Sequence, residues 1–348
     1  MISSRTKQGI AAALGFLGLA ILVAVGLPRA GAEDKTHGGT LGKGWEAVAP
    51  GLVEPESGDV KLMAPVIGRI SQVLVKANDK VIADEPLVRL DDAEARVRVA
   101  TARATVAMRR RARNDQAAGK AADRRRAEDL VADAEADVVA AREAFDNATA
   151  AKRAGSGSDA DVASTRADWT KAQDELSQQQ GQLRKIEADS GTPLPTLSEG
   201  QLNISRTELR LAIVELEKLT IRAPTDSTVL QVNAKVGELA APPTSPPLVT
   251  LGDLSALRVR AELDERDVGE IKLGHKVVVR TDAFRGREFA GKVSTIAPIV
   301  QAARISSPGS RNLTDFSVAE ILIDLDDPGP LVVGMKVDVY FQAEAAAQ

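Results

Sequence analysis

Apolar positions along the chain keep two different periods, and the switches between them divide it. Residues 63–90 read Met63-Ala64-Pro65-Val66-Ile67-Gly68-Arg69-Ile70, then Val73-Leu74-Val75, Val81 and Pro86-Leu87-Val88-Arg89-Leu90. A period near two, broken at Asn78-Asp79, predicts short β-strands. About 160 residues later the same order returns in Arg222-Ala223-Pro224-Thr225-Asp226-Ser227-Thr228-Val229, Val232, Val236-Gly237-Glu238 and Pro247-Leu248-Val249-Thr250-Leu251. Each unit is an Ala-Pro step, a turn, an alternating strand, a second turn and a Pro-led strand. Neither is large enough to bury a face alone, so residues 60–91 and 219–252 are expected to close as one sandwich.

Between these halves, residues 92–218 change to a helical period. From Asp92 to Lys152 there is no proline and a single glycine, Gly119, among many Ala, Asp, Glu and Arg, which favours helix. Ala93, Val97, Ala100, Ala104 and Ala107 step by four and three, as do Ala127, Val131, Ala134, Val138, Ala141, Phe145 and Ala148. These heptads predict a coiled coil whose register slips near Gly119. Gly155-Ser156-Gly157-Ser158 interrupts the helix, and Val162, Thr165, Trp169, Ala172, Leu176, Gln179, Leu183 and Ile186 continue it on a returning arm. That arm breaks at Ser190–Pro195 and resumes through Leu202, Leu209, Ala212 and Leu216. The pattern predicts one long antiparallel hairpin with its tip near 153–159 and a joint where 111–121 faces 190–200. Arms of about 60 residues would reach roughly 90 Å.

Past residue 253 the period is two again. Leu257–Leu263, Lys276–Thr281, Phe289–Ile296, Phe316–Leu325 and Lys336–Phe341 alternate between turns such as Asp326-Asp327-Pro328-Gly329, with a helical turn near Glu265–Ile271 and a loop over Gln301–Asn312. They predict a small antiparallel barrel over 253–341, joined by a strand segment at 45–59 and followed by a tail at 342–348. At the other end, Arg5 and Lys7 precede the uncharged stretch Gly9–Leu27, which is long enough to span a bilayer once. Residues 1–32 are therefore read as an anchor or signal, with Ala30-Gly31-Ala32 as a possible cleavage site, and 33–44 as a linker. Positive residues before the span and Glu33-Asp34 after it place the body of the chain outside the cytoplasm, in the periplasm of a two-membrane bacterium.

Composition narrows the chemistry. None of the 348 residues is Cys, which removes disulfides, thiolate metal sites and lipid attachment to cysteine. The net charge of −4 argues against nucleic acid as a partner, and Arg109–Arg111 and Arg124–Arg126 are expected on a solvated helix face. His37 and His275 fall in different segments, so neither a metal cluster nor a Ser-His-Asp set is expected. Asp264, Glu265 and Asp267 form a polar cap rather than an acid-base pair. No enzyme activity and no cofactor follow from these residues.

The ordered set resembles the HlyD-type periplasmic adaptors, or membrane fusion proteins. Leu219-Thr220-Ile221-Arg222-Ala223-Pro224 is similar to that family's signature at the return from the hairpin, Ala64-Pro65 with Gly68 to its first half, and Gly334-Met335 to its closing strand. Trp45–Val60 looks most like adaptors of ABC exporters. The resemblance implies a multidomain α+β fold: an N-terminal transmembrane helix, a lipoyl-like barrel-sandwich hybrid split by the coiled-coil hairpin, and a C-terminal barrel. It implies an adaptor in the inner membrane, a hexamer, joining an ABC or proton-driven RND transporter to an outer-membrane channel of the TolC type; the small polar tip, Gly155, Ser156, Gly157 and Ser158, is expected to contact that channel or a partner hairpin ring. Ser227 departs from the usual Gly, and Ala151 and Asn147 stand where the tip pattern has Leu and Arg. A lipoyl carrier is disfavoured because the hairpin replaces the turn that would hold the carrier lysine; Lys80 lies on another turn.

Overall fold

The computed structural model describes residues 45–116, 121–189, 191, 193–241, 246–305 and 317–343. The proposed span Gly9–Leu27, the linker 33–44 and most of the loop and tail named above lie outside the described residues. Among those described, no helix is long and apolar enough to cross a membrane. The first strands are β1 (Trp45–Pro55), β2 (Asp59–Leu62), β3 (Gly68–Val73), β4 (Lys80–Val81) and β5 (Pro86–Leu90). Helices α1 (Ala93–Asn114), α2 (Ala122–Arg153), α3 (Asp159–Glu187) and α4 (Leu197–Glu217) follow. Then come β6 (Thr220–Arg222), β7 (Ser227–Val232), β8 (Leu239–Ala240), β9 (Val249–Gly252), β10 (Leu257–Asp264), β11 (Lys276–Arg280), β12 (Phe289–Ala302), β13 (Ser317–Leu325) and β14 (Lys336–Gln342).

Alternation along β1 and β10–β14 turns one face of each strand inward, and they close a barrel in the order β1-β10-β13-β12-β11-β14. Its core is built from small and branched side chains, among them Ala49, Val53, Val259, Ile321, Ile323 and Val339, together with Phe341. Strand β12 runs on through Gln301 and Ala302, which the sequence pattern gives to a loop. Closure is tight at Gly51, where a Cβ would lie 2.7 Å from Val259 Cγ1 and 3.1 Å from Val337 Cγ2. Gly51→Val is therefore expected to cost about 1–3 kcal/mol by overpacking, seen as a lower midpoint in chemical denaturation. An unchanged midpoint would contradict this account of the closure.

The sandwich takes strands from both ends of the hairpin. One sheet has the order β2-β9-β7-β4 and the other β6-β5-β3-β8, so each mixes chain from before and after the insertion. Their inner faces meet in a core that includes Ile70, Leu87, Leu90, Val229, Val249 and Leu251, all at most 2% exposed.

The inserted helices keep the pairing of a hairpin, α1 with α4 and α2 with α3, but the hairpin is not straight. Arg110 and Arg113 of α1 reach Asp133 and Asp129 of α2 across the 115–121 connection. The pairs Arg124–Glu199, Arg210–Glu135 and Arg142–Glu217 keep an offset of about 75 residues, so α2 and α4 run parallel. Arg153, at the end of α2, touches Asp79 and Glu85 of the sandwich. The hairpin has folded back at its joint, and the outer pair α2–α3 lies along the inner pair α1–α4. The expected reach of roughly 90 Å is replaced by about 48 Å, the length of α2. Helical period alone cannot reveal this, because folding at a joint leaves the heptads of each arm intact.

Two further expectations change with it. In α1 the buried positions are Ala95, Val99 and Arg113, while Val97 of the expected series is 65% exposed. Ala-rich helices carry a heptad of small residues on more than one face, and the wrong one reads as the seam. Arg124 and Arg125 are not solvated: they are 5% and 7% exposed, enclosed between α2 and α4. The second series is buried at Ala127, Val131, Ala134 and Phe145, and Phe145 stacks on Trp169 with ring centroids 5.8 Å apart.

Candidate docking and assembly surfaces

The residues that carry the family resemblance sit where the two halves of the chain are sewn together. Ala64 is buried in the sandwich core and Pro65 is exposed beside it. Gly68 opens β3 opposite Ala240, where a Cβ would lie 3.0 Å from the fully buried Leu90. Arg222-Ala223-Pro224 follows α4 directly; the Ala223 N–H donates to Glu85 O and Ala223 O accepts from Asp84 N, which ties the return of the hairpin to the strand that precedes it. Gly334, at φ +85°, donates its N–H to Val53 O, and Met335 O accepts from Val53 N, closing the barrel on β1. These are residues of construction, and Gly68, Ala223, Gly334 and Met335 among them are placed by backbone pairing.

Arg222 does more. Its two terminal nitrogens donate to both carboxylate oxygens of Asp146 on α2 at 2.6 and 2.8 Å, and one of them also to Asp84 O at 2.9 Å. A bidentate pair of this kind fixes orientation as well as distance. Beside it, Arg153 donates to Asp79 Oδ2 at 2.8 Å, to Glu85 Oε1 and to Lys80 O. The sandwich rim is thus a socket for the end of α2, with Ile82 packed against the Phe145–Trp169 cluster. Asp79, Glu85 and Asp146 had no signature in the sequence, since single acidic residues in an acid-rich chain stand out only once their partners are known.

At the far end of the helices a charge cluster is buried. Glu199 is 0% exposed and accepts from Arg125 Nε at 2.5 Å, from Arg124 at 2.9 Å and from Thr196 N at 2.6 Å. Burial alone would raise its carboxyl, but the bonds from Arg125 and Thr196 and the charge of Arg124 hold it below the ordinary carboxylate range. Burial pushes the Glu128 carboxyl up, against the pull of Arg206 and Arg124, and pushes the Arg206 guanidinium down. Thr196-Leu197-Ser198-Glu199 is a capping box, which the sequence reading passes over although Thr-x-x-Glu is its local signal; the second duty of Glu199 leaves no such signal.

The four residues expected to meet an outer-membrane channel form the turn between α2 and α3. Gly155 has φ +77°, Ser156 N and Gly157 N both donate to Ala151 O, and Ser158 caps α3 through a reciprocal pair with Asp161. A Cβ on Gly157 would lie 2.8 Å from Lys152 N, so this glycine is required by the turn itself. Because α2 is folded back, the turn lies on the sandwich side of the helices rather than at their far end.

Comparison with known proteins agrees with this architecture. Residues 257–340 match the model of the YknX-like β-barrel domain. The pyoverdine export membrane fusion protein PvdR of Pseudomonas aeruginosa is 26% identical over 216 residues, 54% of each chain. The macrolide export protein MacA of Yersinia pestis is 28% identical over 145 residues, 39% of each. A membrane protein of Acidithiobacillus ferridurans is 34% identical over 101 residues, 29% of each. The chain thus spans about half or less of the length of these curated relatives. Among solved structures, a MacA chimera carrying the MexA α-hairpin of Pseudomonas aeruginosa superimposes with a TM-score of 0.51 at 18% identity, covering 86% of this chain and 81% of that one, which shows a shared fold. Over part of its length the chain is thus similar to proteins named as export membrane fusion proteins.

Proposed function

We propose that the chain is the periplasmic adaptor subunit of a tripartite exporter, held at the inner membrane by its N-terminal segment and joining an ABC transporter to an outer-membrane channel of the TolC type as a homo-oligomer, a hexamer in the simplest ring. The observation that supports this most is the order of parts: a sandwich sewn from both ends of a helical hairpin, then a closed barrel at its base. A rigid β base of this form gives a transporter a surface to grip, while helices projecting from it give reach. Its role is mechanical, with no catalytic step. MacA and PvdR, named for macrolide and pyoverdine export, favour an exporter; an RND-type pump is the alternative.

Isolation of the tagged full chain from detergent-solubilised membranes tests the reading. An ATP-binding transporter should accompany it in stoichiometric amount. Recovery of an RND pump instead would transfer the adaptor role to the alternative, and recovery of no transporter would overturn it.

A further inference from the structure

The folded hairpin divides its interactions by kind. An apolar cluster of Phe145, Val162 and Trp169 with Val138, Ala141 and Ala148 lies between α2 and α3, touched by Ile82 of the sandwich, and Val99, Leu202 and Ala212 of α1 and α4 are also buried. Between the pairs, contact is made through long arginine side chains. Arg113 reaches Asp129 at 2.6 Å, Arg206 the same Asp129 at 2.7 Å, Arg210 reaches Glu135 at 2.9 Å and Arg142 reaches Glu217 at 2.7 Å. The seam they bridge is not filled. A cavity of 470 Å³ lies between Val106 and Ala107 of α1, Ala136 and Val139 of α2, and Leu209 and Ile213 of α4, and a second of 190 Å³ continues toward the sandwich. The close packing of a protein core is not reached along this seam. Arg113 Nη1, Arg142 Nε, Arg206 Nε and Arg222 Nε are buried along the same seam with no hydrogen-bond partner.

We propose that this closed form is one of two states, and that α2–α3 swings away from α1–α4 as a unit to give an extended hairpin of about 80 Å, the summed length of α1 and α2. The Phe145–Val162–Trp169 seam travels with its pair; opening uncovers the face of it that meets Ile82 and the walls of the unfilled gap. What it gives up is a set of ion pairs whose attraction is offset by desolvation. The socket persists without its occupant: Asp79 Oδ2 accepts from Lys76 N and Glu85 Oε2 from Ile82 N within their own loops. Arg153 in that socket is the latch, and Arg222 on Asp146 steadies the neighbouring turn of α2. Opening carries the Gly155–Ser158 turn from the sandwich rim to the far end of the molecule. The two states belong to this chain alone, whatever partners it serves.

The absence of native cysteine allows spin labels at chosen sites. Labels at Ala77→Cys, on the sandwich rim, and Ala160→Cys, at the start of α3, report closure by double electron–electron resonance, and a pair at Ala144→Cys and Ala167→Cys reports α2–α3 pairing. The full chain should give a rim-to-turn distance below roughly 30 Å. Charge reversal at Arg153→Glu and Arg210→Glu, which face Asp79, Glu85 and Glu135, should move at least half of the molecules to about 70–80 Å, with the α2–α3 distance and the helix content by circular dichroism unchanged. A rim-to-turn distance that stays short in the reversed chain would overturn the proposal. So would a long distance accompanied by loss of helix or of α2–α3 pairing, because closure would then be part of the fold and not a latch upon it.

Discussion

Glu199→Ala is expected to destabilise the helical domain by about 3–5 kcal/mol, because it leaves two buried guanidinium groups facing each other with no carboxylate between them. Arg124 and Arg125 cannot escape to water where they stand, at 5% and 7% exposure, and the change also removes the half of the α4 capping box that Glu199 gives to Thr196 N. Glu128→Gln is the informative contrast. Its Oε2 is buried without a hydrogen-bond partner and its carboxyl is already pushed up by burial, so the substitution removes a desolvated charge and should be neutral or mildly stabilising. Thermal unfolding followed by circular dichroism separates the two; equal losses would mean that the cluster is not organised around Glu199.

The same cluster sets a pH dependence of opposite signs. Glu199 is held low in the folded chain, so its contribution is present above its unfolded value, near 4.3, and is lost as pH falls through the folded value. Glu128 is raised, so its contribution is present below the unfolded value and is lost as pH rises through the folded one. Lowering the pH from 7 should first raise the helical midpoint slightly as Glu128 protonates, then lower it in strong acid as Glu199 does. The first rise should vanish in Glu128→Gln.

Val229→Asp should have an effect of similar size in the β domain. Val229 is 0% exposed and lies in β7, paired with β9 in the shared core. A carboxylate there would be buried with no cation, or protonated at a cost of several kcal/mol, and the loss of about 4 kcal/mol or more is of the kind that ends cooperative unfolding. The substitution also tests the sewing of the sandwich, since Val229 follows the hairpin while core neighbours such as Leu87 and Leu90 precede it. Full tolerance of the charge would mean that the two halves do not share a core.

How far these features can be read from residues follows from the range of the forces that make them. The sandwich was legible because each half repeats the same local pattern, and the barrel because its strands alternate singly. The caps Ser158 and Thr196 act within three positions, yet the sequence reading takes Ser158 only as part of the tip and passes over Thr196. The fold-back of the hairpin is different. It is decided by Arg153 on Asp79 and Glu85, 68 or more residues away, and by Arg124 and Arg125 on Glu199, 74 or more away. In a chain with 45 basic and 49 acidic residues, no spacing rule picks those partners out. Gly155–Ser158 was correctly seen as a turn, but the turn's place in the molecule depended on contacts that the sequence does not display.

The central claim is that this chain bridges two membranes, and in-cell crosslinking tests it most directly. With the affinity tag on the inner-membrane transporter, crosslinking in intact cells followed by isolation should recover the outer-membrane channel when the full chain is present. It should lose the channel, while keeping the chain, when residues 93–217 are replaced by a short Gly-Ser turn. Recovery of the channel at the same level with the chain absent, or with its helices removed, would contradict the account.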